Sequence, residues 1–531
     1  MRIGVGIFSA FDWIVVGAYL LLLVIIGYLT SRNQHTRESF FLGDRDMPSW
    51  AVALSVLATT LSAATFVSVP QLAYGGDLTY VILNIGGIIS AFLVARMFLP
   101  PLYRAGTTTV YGYLGSRYGL TAQMAASFMF LIGRLLASGA RLFIAAIAFA
   151  LILTGKTTAG DLVTAIVLFG IIGLVYTTSG GIKAVIWTDV VQIGIVVLTA
   201  TLSIFLLLEA IPLAGNEIYA VLRDYQGQDK LRILDFRFQL DLSFTIWTGI
   251  IASTFVSTSA YSVDQDMVQR MLTTRGSHEA GRSLIISILV GIPVVCLFLF
   301  IGLLLSIYYG RPDLMGCEAP FDFLEDTKGV FPYFILNHLP VGLKGLAMAG
   351  LLAAAMSSFD SAVNAMASSV LADLYEPWKK KVLLRTELNL SKSNSRGDLH
   401  AFSLSLSAPR TAVVLMGILL ILFAVLAVYL QSMGSKTLID FALGVMAFAN
   451  APLLGIFSAA IFTKRGNSQS VIIALVIGCF LVLLLQPYTL PRWFDLTPIA
   501  WPWWWVVVSP VSYLVCIAGN PRLLSKGDTI P

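Results

Sequence analysis

The sequence predicts an all-α polytopic membrane protein of about thirteen transmembrane helices, the first of its core helices discontinuous. Three observations lead there. The 531 residues are 57% hydrophobic and only 12% charged, with a mean hydropathy of +0.84, far too apolar for a soluble domain of this size. Apolar runs long enough to cross about 30 Å of hydrocarbon recur along the whole chain. Two of those runs are interrupted by polar residues, which hydrocarbon tolerates only where the backbone is buried in protein or lines a polar cavity.

In order, the runs fall at 12–30, 48–75, 79–102, 123–153, 161–178, 182–213, 244–263, 283–308, 340–372, 411–432, 437–463, 470–487 and 499–518. The first follows Arg2, has no small-residue cleavage site and reads as a retained span, with no soluble catalytic domain appended at either end. An odd number of spans puts the termini on opposite sides. Loop 373–410 carries Lys379, Lys380, Lys381, Arg385, Lys392, Arg396 and Arg410, so the positive-inside bias places it and the C-terminus in the cytoplasm and the N-terminus outside, in a multi-pass cell-membrane protein. The same loop, with Ser391 to Asp398 reading SKSNSRGD, is a low-hydropathy linker whose first half can form a peripheral helix. The glycosylation spelling at Asn389 falls on this inner side and carries no weight. Trp501, Trp503, Trp504 and Trp505 read as an interfacial aromatic belt anchoring the last span. Cys296, Cys317, Cys479 and Cys516 are dispersed and form neither a metal spacing nor a disulfide framework. A net charge of +5 gives no support to nucleic-acid binding; the expected partners are lipid and a small solute, with the monomer as the working unit.

The interruptions are the informative part. Leu57 to Pro70, LATTLSAATFVSVP, contains five Ser or Thr in fourteen residues and is followed by Tyr74-Gly75-Gly76. A helix broken there frees backbone carbonyls for a cation; the plainer reading is hydroxyls bonding back to their own helix. Spans two to six open with this run. Spans seven to eleven open with 244–263, whose tail SAYSVDQDMVQR is again polar, and interrupted first helices in two halves point to an inverted repeat with its site at the midplane. The chain divides accordingly into 1–47 (an additional span and loop), 48–240 (first repeat), 241–465 (second repeat, with loop 373–410) and 466–531 (additional spans). In Leu351 to Ser369, LLAAAMSSFDSAVNAMASS, residues Ala354, Ser357 and Ser358 share one helical face, and Asp360 and Ser361 extend it. With freed carbonyls from Ala58 and Leu61 they would supply five of the roughly five or six oxygens a desolvated monovalent cation needs.

The stretches PSWAVALSVLATTLSAATFVSVPQLAY, GGIKAVIWTDVVQ, VDQDMVQR and AAAMSSFDSAVNAMASSVLADLYEPW together resemble the sodium:solute symporter family, over spans two to nine in order. That resemblance implies the five-plus-five inverted repeat of the LeuT fold, with Na+ as the coupling ion. It assigns Ala58, Leu61, Ala354, Ser357 and Ser358 to the principal sodium site. By analogy with the family's sialic acid branch it assigns Asp189, Ser357, Asp360 and Ser361 to a possible second cation site. Asp360 departs from that branch, being a carboxylate where a hydroxyl is expected; its replacement by Asn is expected to change sodium affinity or stoichiometry, unless it is a salt bridge or cap to a neighbouring helix. The same branch implies that Arg134 holds a substrate carboxylate, with Thr60, Ser62 and Thr65 alongside, Asn84 where a Gln is expected and Tyr80 in place of Phe. Arg134 could equally be a structural ion pair or snorkel towards an interface. Arg141, on the same face, reads as structural; Gln265, Gln269 and Arg270 read as gate or fold residues; Tyr261 could line the cavity.

The function expected is Na+-coupled symport of a small polar solute by alternating access, an anionic sugar of the sialic acid kind or a monocarboxylate, rather than catalysis. Neutral sugars, polyols, amino acids and vitamins stay open as substrates, as does a transporter-like solute sensor. The chain lacks a repeated selectivity-filter motif. His35, His278, His338 and His400 sit at loops or span ends, with no HExxH or GxSxG at membrane depth.

Overall fold

In a computed structural model, residues 8–32, 36–154, 158–315, 329–380, 407–432, 438–487 and 489–520 are described. Most of loop 373–410, and Cys317, lie outside these residues. Among them the chain is helical, with one isolated bridge between Tyr225 and Gln228. The main helices are α1 (Ala10–Ser31), α2 (Ser49–Thr60), α3 (Ala63–Gly75), α4 (Thr79–Ala105), α5 (Leu120–Thr154), α6 (Ala159–Ala210), α7 (Ser253–Ser262), α8 (Gln265–Met271), α9 (Ser277–Gly310), α10 (Leu343–Ser369), α11 (Ser407–Ser432), α12 (Leu438–Phe462), α13 (Ser468–Leu485) and α14 (Trp503–Ala518). Among the described residues, eight helices are long and apolar enough to cross a membrane, nine when the bent pair α2/α3 is taken as one span; Ala159–Val175, Met446–Phe462 and Trp503–Ala518 are shorter apolar helices. The runs read at 161–178 and 182–213 form one helical stretch, α6, turned at Gly181, whose φ of 50° and ψ of −153° suit glycine alone.

The bundle is organised around α10. Its span is 94% buried, against 22% for α1, which therefore faces lipid over most of its surface. Small residues permit this: Gly345, Ala347, Ala349, Gly350 and Ala353 to Ala355 let α1, α5, α6 and α11 approach the α10 backbone without a hydrophobic driving force, which lipid does not supply. A single buried carboxylate fixes two helix starts. Asp12 completes the capping box of α1 with Ser9, and its Oδ1 accepts from Gly342 N (2.7 Å) and Gly345 N (3.0 Å) at the start of α10.

Two interruptions shape the centre. Between α2 and α3 the chain bends by 61° at Leu61–Ser62; Pro70, expected to end the polar stretch, lies inside α3 instead. Between α7 and α8 the helix stops at Val263 and restarts at Asp264, whose side chain caps α8. Around them α4 crosses the 248–262 helix at close range. A Cβ on Gly86 would lie 2.5 Å from Thr254 N, and one on Gly249 2.6 Å from the Ile82 carbonyl oxygen. Of the aromatic run, Trp501 is 41% exposed, whereas Trp503, Trp504 and Trp505 are only 6%, 4% and 4% exposed, packed at the start of α14, because that helix folds back against α12 and α13.

Candidate functional site

The bend at Leu61 redirects backbone donors. In an unbroken helix the Ser62 and Thr65 N–H groups would cover the carbonyls of Ala58 and Leu61. Here Ser62 N–H donates to the Thr60 carbonyl (3.2 Å) and Thr65 N–H to the Ser62 hydroxyl (3.4 Å), turning both donors away. Ala58, Leu61, Ala354 and Ser357 then line one narrow crevice with Gln192, Ile193, Val196 and Ala353. The fifth expected ligand, Ser358, lies past Ala354. Its hydroxyl is 3.4 Å from the Ala354 carbonyl, and it lines a separate cleft with Ser138, Arg141, Leu142, Ala355 and Phe359. Two carbonyls, a hydroxyl and a second hydroxyl within a turn suit a hard monovalent cation and offer nothing soft to a transition metal.

On the opposite side of the same bend lies a cavity of about 220 Å³. It is lined by Thr60, Leu61 and Thr65 from the broken helix, by Tyr80 and Asn84, and by Tyr261, all but Leu61 expected as solute ligands. Ser253, Ser257, Ser287 and Trp501 complete its polar wall. The first two form a stripe legible in the sequence, since 253, 257 and 261 recur at i+4 along one face; Trp501 belongs to the aromatic run before α14 and enters the cavity wall only through the tertiary fold. Asn84 Nδ2 donates to the Val81 carbonyl (2.9 Å), which orients the amide and leaves Oδ1 as an acceptor. Ser62 is not a lining residue: 6% exposed, it caps α3. None of the lining residues is ionisable at neutral pH.

Arg134 is likewise absent from this cavity. Its guanidinium is buried against Asp264 (2.5 Å) and Asp266 (3.1 Å), the structural ion pair rather than a free carboxylate receptor. The physical reason is the α7/α8 break, which turns two carboxylates towards α5 at that depth; a charge so far from water must be paired. Asn450 adds a bond to Asp264 (3.2 Å). The pairing continues through Arg270, which meets Asp266 (2.8 Å) and Asp189 (3.3 Å). Asp189 in turn accepts from Ser55 (2.5 Å) and from Ser357 (2.6 Å), the hydroxyl of the cation crevice. Of the four residues expected at a second cation site, Asp189, Ser357 and Ser361 converge. Asp360 does not join them; its carboxylate accepts from Thr177 on α6 (2.9 Å). Gln265 bonds Val110 N (2.8 Å) and Gln269 bonds Asn364 (2.8 Å), tying α8 to its neighbours as the fold reading expected. Arg141 has neither ion pair nor hydrogen bond among the described residues, and it stands in the cleft beside Ser358.

The far end of α3 is strapped down. Lys230 Nζ donates to the terminal carbonyls of Tyr74 (2.7 Å), Gly76 (3.1 Å) and Ala73 (3.3 Å), while Arg232 grips Asp77 (2.7 Å). Cations at a helix C-terminus suit its dipole. Burial pushes the Lys230 ammonium down to about 8, opposed by Asp77.

A helical bundle with a helix broken between an oxygen-lined crevice and a polar pocket defines the class of membrane transporters built on discontinuous helices. The chain belongs to the Sodium:solute symporter family, whose sequence profile matches residues 40–396. It is 29% identical to a sodium/sialic acid symporter of Proteus mirabilis, over 90% of this chain and 89% of that protein. It is also 29% identical to the human sodium-coupled monocarboxylate transporter 1, over 90% of this chain and 73% of that one. Among solved structures it superposes on a substrate-bound, outward-open Na+-coupled sialic acid symporter with a TM-score of 0.78 and 26% identity, covering 97% of this chain and all (100%) of that chain. A nucleobase-cation-symport transporter, MHP1, at 15% identity and a TM-score of 0.55 shares the fold alone.

Proposed function

We propose that this protein carries a small, hydroxyl-rich organic acid, an acidic sugar or a monocarboxylate, across the cell membrane together with Na+. One observation carries the reading: Leu61 lines both the cation crevice and the 220 Å³ cavity, so ligands on either side hold the same bend in one geometry. A sodium ion drawing the Ala58 and Leu61 carbonyls towards Ser357 would fix the bend that Thr60 and Thr65 need to face the solute. Each ligand then raises the population to which the other binds, by the same factor. The acid is favoured by the sialic acid and monocarboxylate symporters among the relatives. It is favoured too by Arg141, whose charge beside Ser358 opposes a lone cation and is balanced when an anion arrives with it.

A second reading, a neutral polyol or sugar, is favoured by the absence of any ionisable group at neutral pH from the cavity wall. In either case the thirteen spans, the four-part division, the paired inverted repeats and an external N-terminus belong to the proposal, as does a monomeric working unit. The melting temperature of detergent-purified protein, measured in Na+ and in K+ against sialic acid, lactate, glucose, inositol, proline and pantothenate, tests it. The expected result is stabilisation by sialic acid or lactate in Na+ only. Stabilisation by glucose or inositol instead selects the second reading, and equal stabilisation in K+ overturns coupling.

A further inference from the structure

We infer that Trp501 is a specificity-determining residue of the solute cavity, the platform on which one face of a saturated, hydroxyl-bearing ring rests. The inference rests on the symport reading above and selects, within it, a cyclic polyhydroxylated solute over a short-chain monocarboxylate. Two features of the cavity carry it, the hydrogen bonding of its wall and the setting of the tryptophan. Three polar groups on the wall are turned by bonds to backbone carbonyls. Thr60 Oγ1 donates to Leu57 (2.7 Å), Ser253 Oγ to Leu83 (2.6 Å) and Asn84 Nδ2 to Val81 (2.9 Å), and each group keeps an oxygen that can accept from a solute. A carboxylate is acceptor-only and finds no partner in such oxygens, whereas alcohol O–H groups do. Lactate offers one hydroxyl; a sugar ring or a cyclitol offers several around its rim and presents C–H groups on its faces.

Those faces need an apolar surface, and Trp501 supplies one. It reaches the cavity from the segment before α14 and is 41% exposed, yet its ring is held. The buried Trp505 meets it edge to face, with centroids 6.2 Å apart and planes at 77°. Pro502, also on the cavity wall, restricts the backbone of the residue before it. Ala500 N–H donates to the Leu240 carbonyl (2.7 Å). Leu240 lies in the segment leading into the 248–262 helix, which carries Ser253, Ser257 and Tyr261, so platform and wall are tied together. An aromatic ring fixed before the solute arrives gives apolar contact at little further cost in ordering.

Calorimetric titration of the purified full-length protein in Na+ with sialic acid, glucose, inositol and lactate tests the assignment. The wild type is expected to bind at least one of the three ring solutes more tightly than lactate. Trp501→Ala is expected to weaken that ring solute about tenfold and lactate by about twofold at most, while Trp501→Phe keeps most of the affinity. The chain has ten tryptophans, and the solute-induced change in their emission is expected to vanish in Trp501→Phe although the solute still binds, which a purely structural tryptophan would not show. Should Trp501→Ala fold poorly, that emission difference decides. Wild-type affinity for the ring solute in Trp501→Ala, or an emission change retained in Trp501→Phe, overturns the inference. So does a wild type that binds lactate in Na+ and none of the rings, a result that leaves symport standing. A ring solute bound equally well in K+, and weakened by Trp501→Ala, overturns symport and leaves the platform standing.

Discussion

Two polar regions lie on either side of the Leu61 bend, and they are built in opposite ways. The cluster from Arg134 through Asp264, Asp266 and Arg270 to Asp189 is fully charged and internally paired, each member 2% exposed or less. The cavity beyond the bend is uncharged and presents hydroxyls, an amide and aromatic rings around empty space. Charge deep in a membrane protein thus marks, in the first region, cohesion between helices that meet at a break. The capacity to take a ligand sits with the second, where the polar atoms are left with acceptors to offer.

The sharpest way to break that contrast is to unpair the cluster. Arg134→Gln leaves Asp264 and Asp266 buried with one partner fewer and is expected to cost about 3–5 kcal/mol of stability, read as a fall in melting temperature; adding Asp264→Asn is expected to restore part of it. If Arg134→Gln instead keeps its melting temperature and loses only solute-induced stabilisation, the arginine is a solute ligand and the two regions are not separate. Asn84→Leu probes the other side. It is expected to weaken solute binding about tenfold, roughly 1.4 kcal/mol, with the solute-free melting temperature nearly unchanged, as isothermal titration and a thermal melt will show.

A third test bears on the strap over α3. The folded protein releases the Lys230 proton at about 8, below the ordinary lysine value of 10.5. The penalty for burying the charge is therefore fully present below pH 8. Between about pH 8 and 10.5 the unfolded chain holds more protons than the folded one, so stability rises with pH in that window. The melting-temperature difference between wild type and Lys230→Met is expected to shift in favour of wild type from pH 8 to pH 10. A flat difference would place the lysine in water. The smallest effect is expected from Asp360→Asn: because the Asp360 carboxylate accepts from Thr177 on α6, an amide oxygen can take the same bond, so 22Na+ affinity is expected to stay unchanged and stability to move by about 1 kcal/mol or less.

Much of this was legible in the residues. The Ser/Thr content of Leu57 to Pro70 located the bend to within a few positions, because a hydrocarbon solvent leaves few other uses for so many hydroxyls beside a backbone break. The i, i+3, i+4 spacing of Ala354, Ser357 and Ser358 put them on one face of α10, although Ser358 falls into the neighbouring cleft. Residue type alone did not distinguish Arg134 from Arg141. Both are arginines on one face of α5, and only their surroundings, two carboxylates for one and a serine-lined cleft for the other, separate them.

What the sequence determined by itself is what depends on local chemistry in a known solvent: membrane-spanning helices, the family, the place of the break and the residues of α2 and α10 that meet there. Only the tertiary structure decided which charges are paired, that Asp360 turns to α6, that Arg270 meets Asp189, and that Trp501 reaches the cavity. The reason is physical. Helical period and hydropathy act over a few residues, whereas the partners of these buried charges lie 81 (Arg270 and Asp189), 130 (Arg134 and Asp264) and 183 residues away (Asp360 and Thr177), brought together by packing that no single segment encodes.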